Sequence, residues 1–305
     1  MSDREMIHEV QQGAEPPQEV KPQMSSFREL LFFAWRNTRV RIGVAIVGFF
    51  LLVALVGPLF AKYDPNEYVG PPNQPPNAEY WFGTTTFGQD VYSQFVYGLR
   101  PVFIVGLLGG GLGTLIGMLI GFVAGYRGGV VDEALNMLTN IVIVIPTFAL
   151  LLIIAAYLKV RSIFSEALFI GFTAWPWAAR AIRAQTFSLR AREFVDLARI
   201  TGMRSGKIIL TEIAPNMMSY LFMTFILQFG GAILNAATLD FIGLGPTNAM
   251  SLGLMMNNAV LWSALQLGVW WWFVPPGLAI AAIVGALYIT NVGLDEVFNP
   301  KLREM

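Results

Sequence analysis

The chain has 305 residues, 55% of them hydrophobic and 13% charged, and its 20 basic and 20 acidic side chains balance to zero net charge. A soluble domain carries about a quarter charged residues, so the composition argues against one, and nothing in the charge balance points to nucleic acid. There is no cysteine, and His8 in a polar stretch is the only histidine, which excludes thiol chemistry, disulfides and most zinc sites.

Residues 1–25 are polar and rich in Glu, Gln and Pro; they read as a disordered cytoplasmic tail. The first apolar run begins near Ile42, too far along and too long for a signal peptide, and reads as an anchor. An all-α membrane protein of six spans is predicted: Ile42–Ala61, Pro101–Tyr126, Leu135–Leu158, Ile163–Ala179, Met217–Leu239 and Val269–Leu294. Twenty helical residues rise roughly 30 Å, enough to cross the hydrocarbon. The fourth segment is the shortest and holds Glu166 and Pro176. Pro71, Pro72, Pro75 and Pro76 exclude regular helix or sheet from the early part of the loop after span one. Pro146, Pro275 and Pro276 predict kinks. Asp240–Gly268 is half apolar and glycine-containing, a stretch that dips back toward the membrane or lies in its interface. The chain divides into the tail 1–25, an N-terminal region 26–100 with the first span and its loop, a five-helix core 101–294 containing a polar segment 190–216, and a C-terminal tail 295–305.

Basic residues set the orientation. Arg28, Arg36, Arg39 and Arg41 precede span one; Arg180, Arg183, Arg190, Arg192, Arg199, Arg204 and Lys207 lie between spans four and five; Lys301 and Arg303 end the chain. Six spans place all three groups, and both termini, on the cytoplasmic side. Trp262, Trp270, Trp271 and Trp272 read as an interfacial belt.

Span two carries Gly109, Gly113, Gly117, Gly121 and Gly125, a bare stripe that lets a neighbouring backbone approach closely. The stripe fits static packing or a seam that slides. Ionisable residues deep in the spans, which ion-coupled transporters use, are nearly absent: Glu166 starts span four and Asp240 follows span five. Gln228 and Asn235, seven apart and on one helical face, either line a polar path or join helices by hydrogen bonds. Gly202 to Ile208 lacks the spacing and the hydroxyl of a phosphate-binding loop, and Gly109–Gly111 follows no strand, so neither nucleotide chemistry nor any cofactor or catalytic role is expected. Any energy for transport comes from outside this chain.

Arg190 to Asn216 reads RAREFVDLARITGMRSGKIILTEIAPN. Phe194, Leu197, Ala198, Ile200, Ile208 and Ile209 make an amphipathic pattern interrupted at Gly202, which predicts two helices joined by a sharp turn. The segment fits a partner-docking element or an interfacial helix with arginines on anionic headgroups.

This segment resembles the cytoplasmic loop of the permease subunits of binding-protein-dependent ABC importers, E-A-A, three residues, Gly, nine residues, then I-x-L-P. Asp196, Leu197, Ala198, Gly202 and Pro215 occupy matching places, with Asp for Glu, Leu for the first Ala, and Glu212 and Ala214 where Ile and Leu are usual. Phe82 to Arg100 is similar to the signature before span two of the dipeptide/oligopeptide (C-type) branch, departing at Thr85, Gln89 and Gln94. Phe241 to Gly245, Trp270 to Ile280 and Leu294 to Arg303 resemble that branch's further motifs. Where the branch often has Arg and Asp after a G-G-x-x-D motif, this chain has Met137 and Asn140, whose spacing predicts neighbouring side chains.

The resemblance implies a MetI-like permease fold in the inner membrane. It implies a second homologous permease, two ATP-binding subunits and an extracytoplasmic solute-binding protein as partners, besides membrane lipid. Asp196, Leu197, Ala198, Gly202 and Pro215 would couple to the ATPase, with Gln228 and Asn235 as candidates for the pathway. Peptides are the default cargo of the branch, and related permeases carry oligosaccharides or nickel chelates. An ion-coupled secondary transporter and a non-transporting scaffold are the readings from other classes.

Overall fold

A computed structural model describes residues 34–298, and the two tails assigned to 1–25 and 295–305 fall wholly or mostly outside that range. The described residues are helical with irregular connections and no extended sheet. The elements are α1 (Thr38–Val56), α2 (Val91–Arg127), α3 (Gly129–Val144), α4 (Thr147–Tyr157), α5 (Ile163–Arg190), α6 (Glu193–Ile200), the short turns α7 (Ser205–Ile208) and α8 (Ala214–Asn216), α9 (Met218–Phe241), α10 (Leu252–Leu261) and α11 (Trp270–Phe298).

Thr38–Leu59, α2, α9 and α11 are long and apolar enough to cross a membrane, and α3 with α4 qualifies as one further span bent by 72°. The bend falls at Ile145–Pro146, where the proline expected to kink span three breaks it outright. α5 does not meet the apolar criterion, yet its 28 residues run parallel to α2 over the whole glycine stripe. Gly109 faces Ala167, Gly117 faces Ala178, and Gly125 faces Thr186 and the Arg183 carbonyl. This pairing is the most extensive in the molecule. It lays α5 alongside α2, an arrangement compatible with six spans.

Two boundaries differ from the sequence expectation for physical reasons. α2 begins ten residues before Pro101, because the Asp90 carboxylate caps it by accepting from the Ser93 N–H at 2.9 Å and the Ser93 hydroxyl at 2.6 Å. Pro101 is then simply an interior residue. α5 continues past Ala179 to Arg190, because its arginines find partners on α2 and α3. α11 runs unbroken through Pro275 and Pro276. The 240–268 stretch contains α10, ten residues long and too short to cross.

α1 lies antiparallel on α11. Gly43 abuts Thr290, Gly293 abuts Val40, and Glu296 accepts from both Asn37 (3.0 Å) and Arg39. The outward side of α1 exposes Phe49, Leu52 and Leu55, the surface a lipid-facing helix presents. At one end of the bundle, residues 62–90 fold back on α2 and α11; we call this the loop end. The opposite end, where α6 to α8 sit, is the basic end.

Candidate functional site

At the basic end α6 has Glu193 and Asp196 in its first turn and Arg199 in its last, matching the helix dipole. Asp196 and Arg199 pair at 2.8 Å on the surface. Val195 and Ala198 are buried, whereas Leu197 is 64% and Ile200 83% exposed. Gly202 ends the helix at φ +76°, with its N–H on the Arg199 carbonyl (3.0 Å) and the Met203 N–H on that of Ala198 (3.1 Å). These are the paired bonds of a Schellman cap. The chain then makes one α turn and a π turn, Ile209–Ile213, where the Ala214 N–H reaches back to the Ile209 carbonyl. Pro215, exposed and just beyond, has no N–H for the Thr211 carbonyl, so the wider turn suits it. Leu210 is 70% exposed.

The five residues matched to the coupling loop therefore divide into two kinds. Asp196 and Leu197 face outward; Ala198, Gly202 and Pro215 shape and seat the segment. Val195, Ala198, Ile208, Ile213, Ala214 and Met217 pack with Phe122, Tyr126, Ala178 and Ile182, which fastens the segment to α2 and α5.

Arginines counted as loop charges in the sequence turn out to lie on α5. Arg183 grips Asp132 of α3 through two bonds of 2.5 and 2.6 Å, a bidentate geometry. Arg180 donates to Asn140 Oδ1 at 2.8 Å, and Arg190 to the Tyr126 carbonyl at 3.0 Å. From α6, Arg199 lies 5.5 Å from the Tyr126 ring centre. A hydrogen bond to Tyr126, and then Asp196, hold its pKa above the ordinary arginine value. Met137 and Asn140 share one face of α3, as their spacing predicts, with Glu133 and Asn136. Together they line an open groove of about 420 Å³.

Gln228 is buried and donates across the bundle to the Ala174 carbonyl at 2.9 Å, whereas half-buried Asn235 donates to Gly231 of its own helix at 3.0 Å. Shared spacing did not give them a shared kind of partner. Trp262 and Trp270 are exposed as belt residues are, but Trp271 and Trp272 are buried. Their indole N–H groups donate to the Thr84 carbonyl (3.1 Å) and to Gln94 Oε1 (3.2 Å), so these two are anchors for the loop end. Gln94 also donates to the Pro65 carbonyl and to Gln89, each at 3.0 Å.

A bundle of long apolar helices with a compact segment seated on its basic end defines a polytopic membrane protein. Comparison with known proteins gives the particular family. Residues 117–304 match the model of the binding-protein-dependent transport system inner membrane component, and residues 34–76 match the N-terminal membrane domain of oligopeptide transport permease C. The chain belongs to this family and is a multi-pass inner-membrane permease subunit. It is 31% identical to the dipeptide transport system permease protein DppC of Alkalihalophilus pseudofirmus, covering 94% of each chain. It is 27% identical to the oligopeptide transport system permease protein OppC of Bacillus subtilis, covering 93% of this chain and 92% of that one. With the OppC of Mycobacterium bovis it shares 31% identity over 76% of this chain and 79% of that one.

Proposed function

We propose that this chain is one of two related permeases in an importer of peptides, with its basic end and both termini in the cytoplasm. Two ATP-binding subunits dock there, and an extracytoplasmic binding protein delivers solute to the loop end. Hydrolysis belongs to the ATP-binding subunits, and this chain is non-catalytic. The peptide cargo rests on the relatives, whose names specify dipeptide and oligopeptide transport.

The observation that carries the coupling role is the apolar face formed by Leu197 and Ile200, with Leu210 nearby, exposed on a segment otherwise studded with Arg and Lys. Exposed apolar surface on a charged element suits a protein groove better than water. In this reading Asp196 and Leu197 touch the ATPase, Ala198 seats α6, and Gly202 and Pro215 hold the turn. The open face of α3, with Glu133, Asn136 and Asn140, lines the pathway opposite the second permease, because lipid does not accept such side chains. Asn235 keeps the pathway-lining role and Gln228 the interhelical one.

The test is Leu197→Asp with Ile200→Asp, in cells carrying the whole importer. Membrane levels should match the parent, the co-purifying ATPase should be lost, and uptake of labelled trialanine should fall at least tenfold. Retention of the ATPase at parental stoichiometry refutes the docking assignment; failure of the parent itself to take up any di- or tripeptide refutes the cargo.

A further inference from the structure

Glu166 and Asp240 stand 74 positions apart in sequence, and neither has a part in the coupling just described. The fold brings them together at the loop end, where α5 starts and α9 finishes. Asp240 is 4% exposed. Both carboxyl groups border a small void of about 10 Å³ that Ser251 also lines. That volume holds about one water molecule. Glu166 Oε1 and Asp240 Oδ1 are buried without any hydrogen-bond partner.

Buried carboxylates need compensation by a charge or by donors. Arg161 is the cation that acts on both groups. Its guanidinium donates to main-chain carbonyls instead, that of Gly245 at 2.9 Å and those of Ala155 and Gly243 at 3.5 Å. The other walls bring no ionisable group: α2 offers Val102 and Val105, α11 offers Ile280, and α10 offers Ser251. On the α4 side the neighbours of Glu166 are Leu151 and Leu158. Two carboxylates against one guanidinium leave one negative charge unbalanced.

We infer that Glu166, Asp240 and Ser251 form an enclosed site for a single positive charge, a proton or a desolvated monovalent cation, that fastens the loop end of α5 to α9 and α10. A divalent ion would overshoot the charge balance. The surroundings of Asp240 admit nothing larger. A Cβ at Gly253 would collide with the Asp240 Cβ, and one at Gly245 with Asp240 Oδ1. The site also holds the 242–247 turn, because Arg161 bonds Gly243 and Gly245 and its own N–H and carbonyl engage Thr247. Loss of the charge would loosen that turn together with the start of α5. This inference does not depend on the ATPase docking or on the cargo.

The experiment is thermal unfolding of the intact permease complex in detergent, from pH 5 to pH 8, in sodium chloride and in choline chloride. A proton in the site raises the parent's midpoint at acid pH in both salts, and a sodium ion raises it at pH 8 in sodium chloride alone; a shift of about 3 °C or more is expected. Glu166→Gln leaves one carboxylate against one guanidinium, so its midpoint should stay near the parent's best value and lose the dependence. Asp240→Asn should do the same. A parent with a flat midpoint in all conditions overturns the inference, as does a dependence that survives in Glu166→Gln. Should neither variant assemble, labelling of the parent with a hydrophobic carbodiimide decides. Modification of Glu166 or Asp240 that varies with pH or sodium supports the site; modification indifferent to both, or none, overturns it.

Discussion

Replacing Gly117 of α2 by Ala tests the seam between α2 and α5. A Cβ there would lie 2.6 Å from the Ala178 Cβ and 2.9 Å from the Ala179 nitrogen, where ordinary contact starts at 3.4 Å. α2 and α5 must separate by roughly the 0.8 Å difference, and neither obstacle is a flexible side-chain tip that can swing away. Such crowding costs about 1–3 kcal/mol, against a gain of about 1 kcal/mol in helix propensity from Gly to Ala. Gly111 supplies the internal control: it lies in the same helix, and a Cβ there meets only Phe225 Cε2, at 3.9 Å. Gly111→Ala keeps the propensity gain without the crowding, so the two variants should differ by the crowding alone. That is about 5 °C in unfolding midpoint, measured on the complex in detergent. Midpoints within about 1 °C of each other would refute the seam as drawn. If Gly117→Ala keeps its midpoint and loses uptake, the stripe moves during transport.

Three further outcomes follow from the contacts at the basic end and across the core. Asp132→Arg or Arg183→Asp alone should destabilise the protein by about 1–3 kcal/mol, between the values for exposed and buried pairs; the double exchange should recover at least half, read from unfolding midpoints. Gln228→Leu removes the donor to the Ala174 carbonyl and should cost about 1 kcal/mol while uptake persists; unchanged stability with uptake lost would reassign Gln228 to the pathway. At Gly202, with φ +76° and open space around its Cβ position, only backbone strain opposes a side chain. Gly202→Asn should therefore retain more uptake than Gly202→Val, since Asn tolerates this region and a β-branched residue does not.

The apolar runs made α1, α9 and α11 legible to within a few residues, because a membrane span must be long and continuous. The glycine period also revealed the seam, though not its partner: periodicity marks the face of one helix and is silent about what meets it. The end of α5 was hidden for a related reason. Its last turns are held by Arg180, Arg183 and Arg190, and a run of arginines looks like a loop until Asn140, Asp132 and the Tyr126 carbonyl are placed beside it. The start of α2 was signalled by Asp90 followed three residues later by Ser93, a capping pattern that Pro101 obscured. The segment 190–216 was legible as an amphipathic pattern around Gly202. Which of its apolar residues face outward was not, because that depends on where Tyr126 and Ile182 lie. Glu166 and Asp240 looked like unrelated end residues. Only the pairing of α5 with α9 puts them in one site.

The packing also indicates how motion at the proposed docking face would enter the bundle. α6 follows α5 after a two-residue break and is seated on the end of α2, so a push on Leu197 and Ile200 acts first on that pair. α2 and α5 are locked together by backbone approach along the whole glycine stripe. They cannot separate freely, so the response open to them is to tilt or shift as one body. Arg183 and Arg180 extend that body to α3, whose groove-lining face has the polar residues proposed for the pathway. α1 and α11 are tied to each other at the basic end through Glu296, and toward the loop end they pack with α10 and with Val91, Phe95, Leu99 and Val102 of α2 in one cluster. If the segment docks as proposed, α3 moves with the basic end of α2 and α5, while the loop-end half of α2, packed with α1, α10 and α11, anchors that motion.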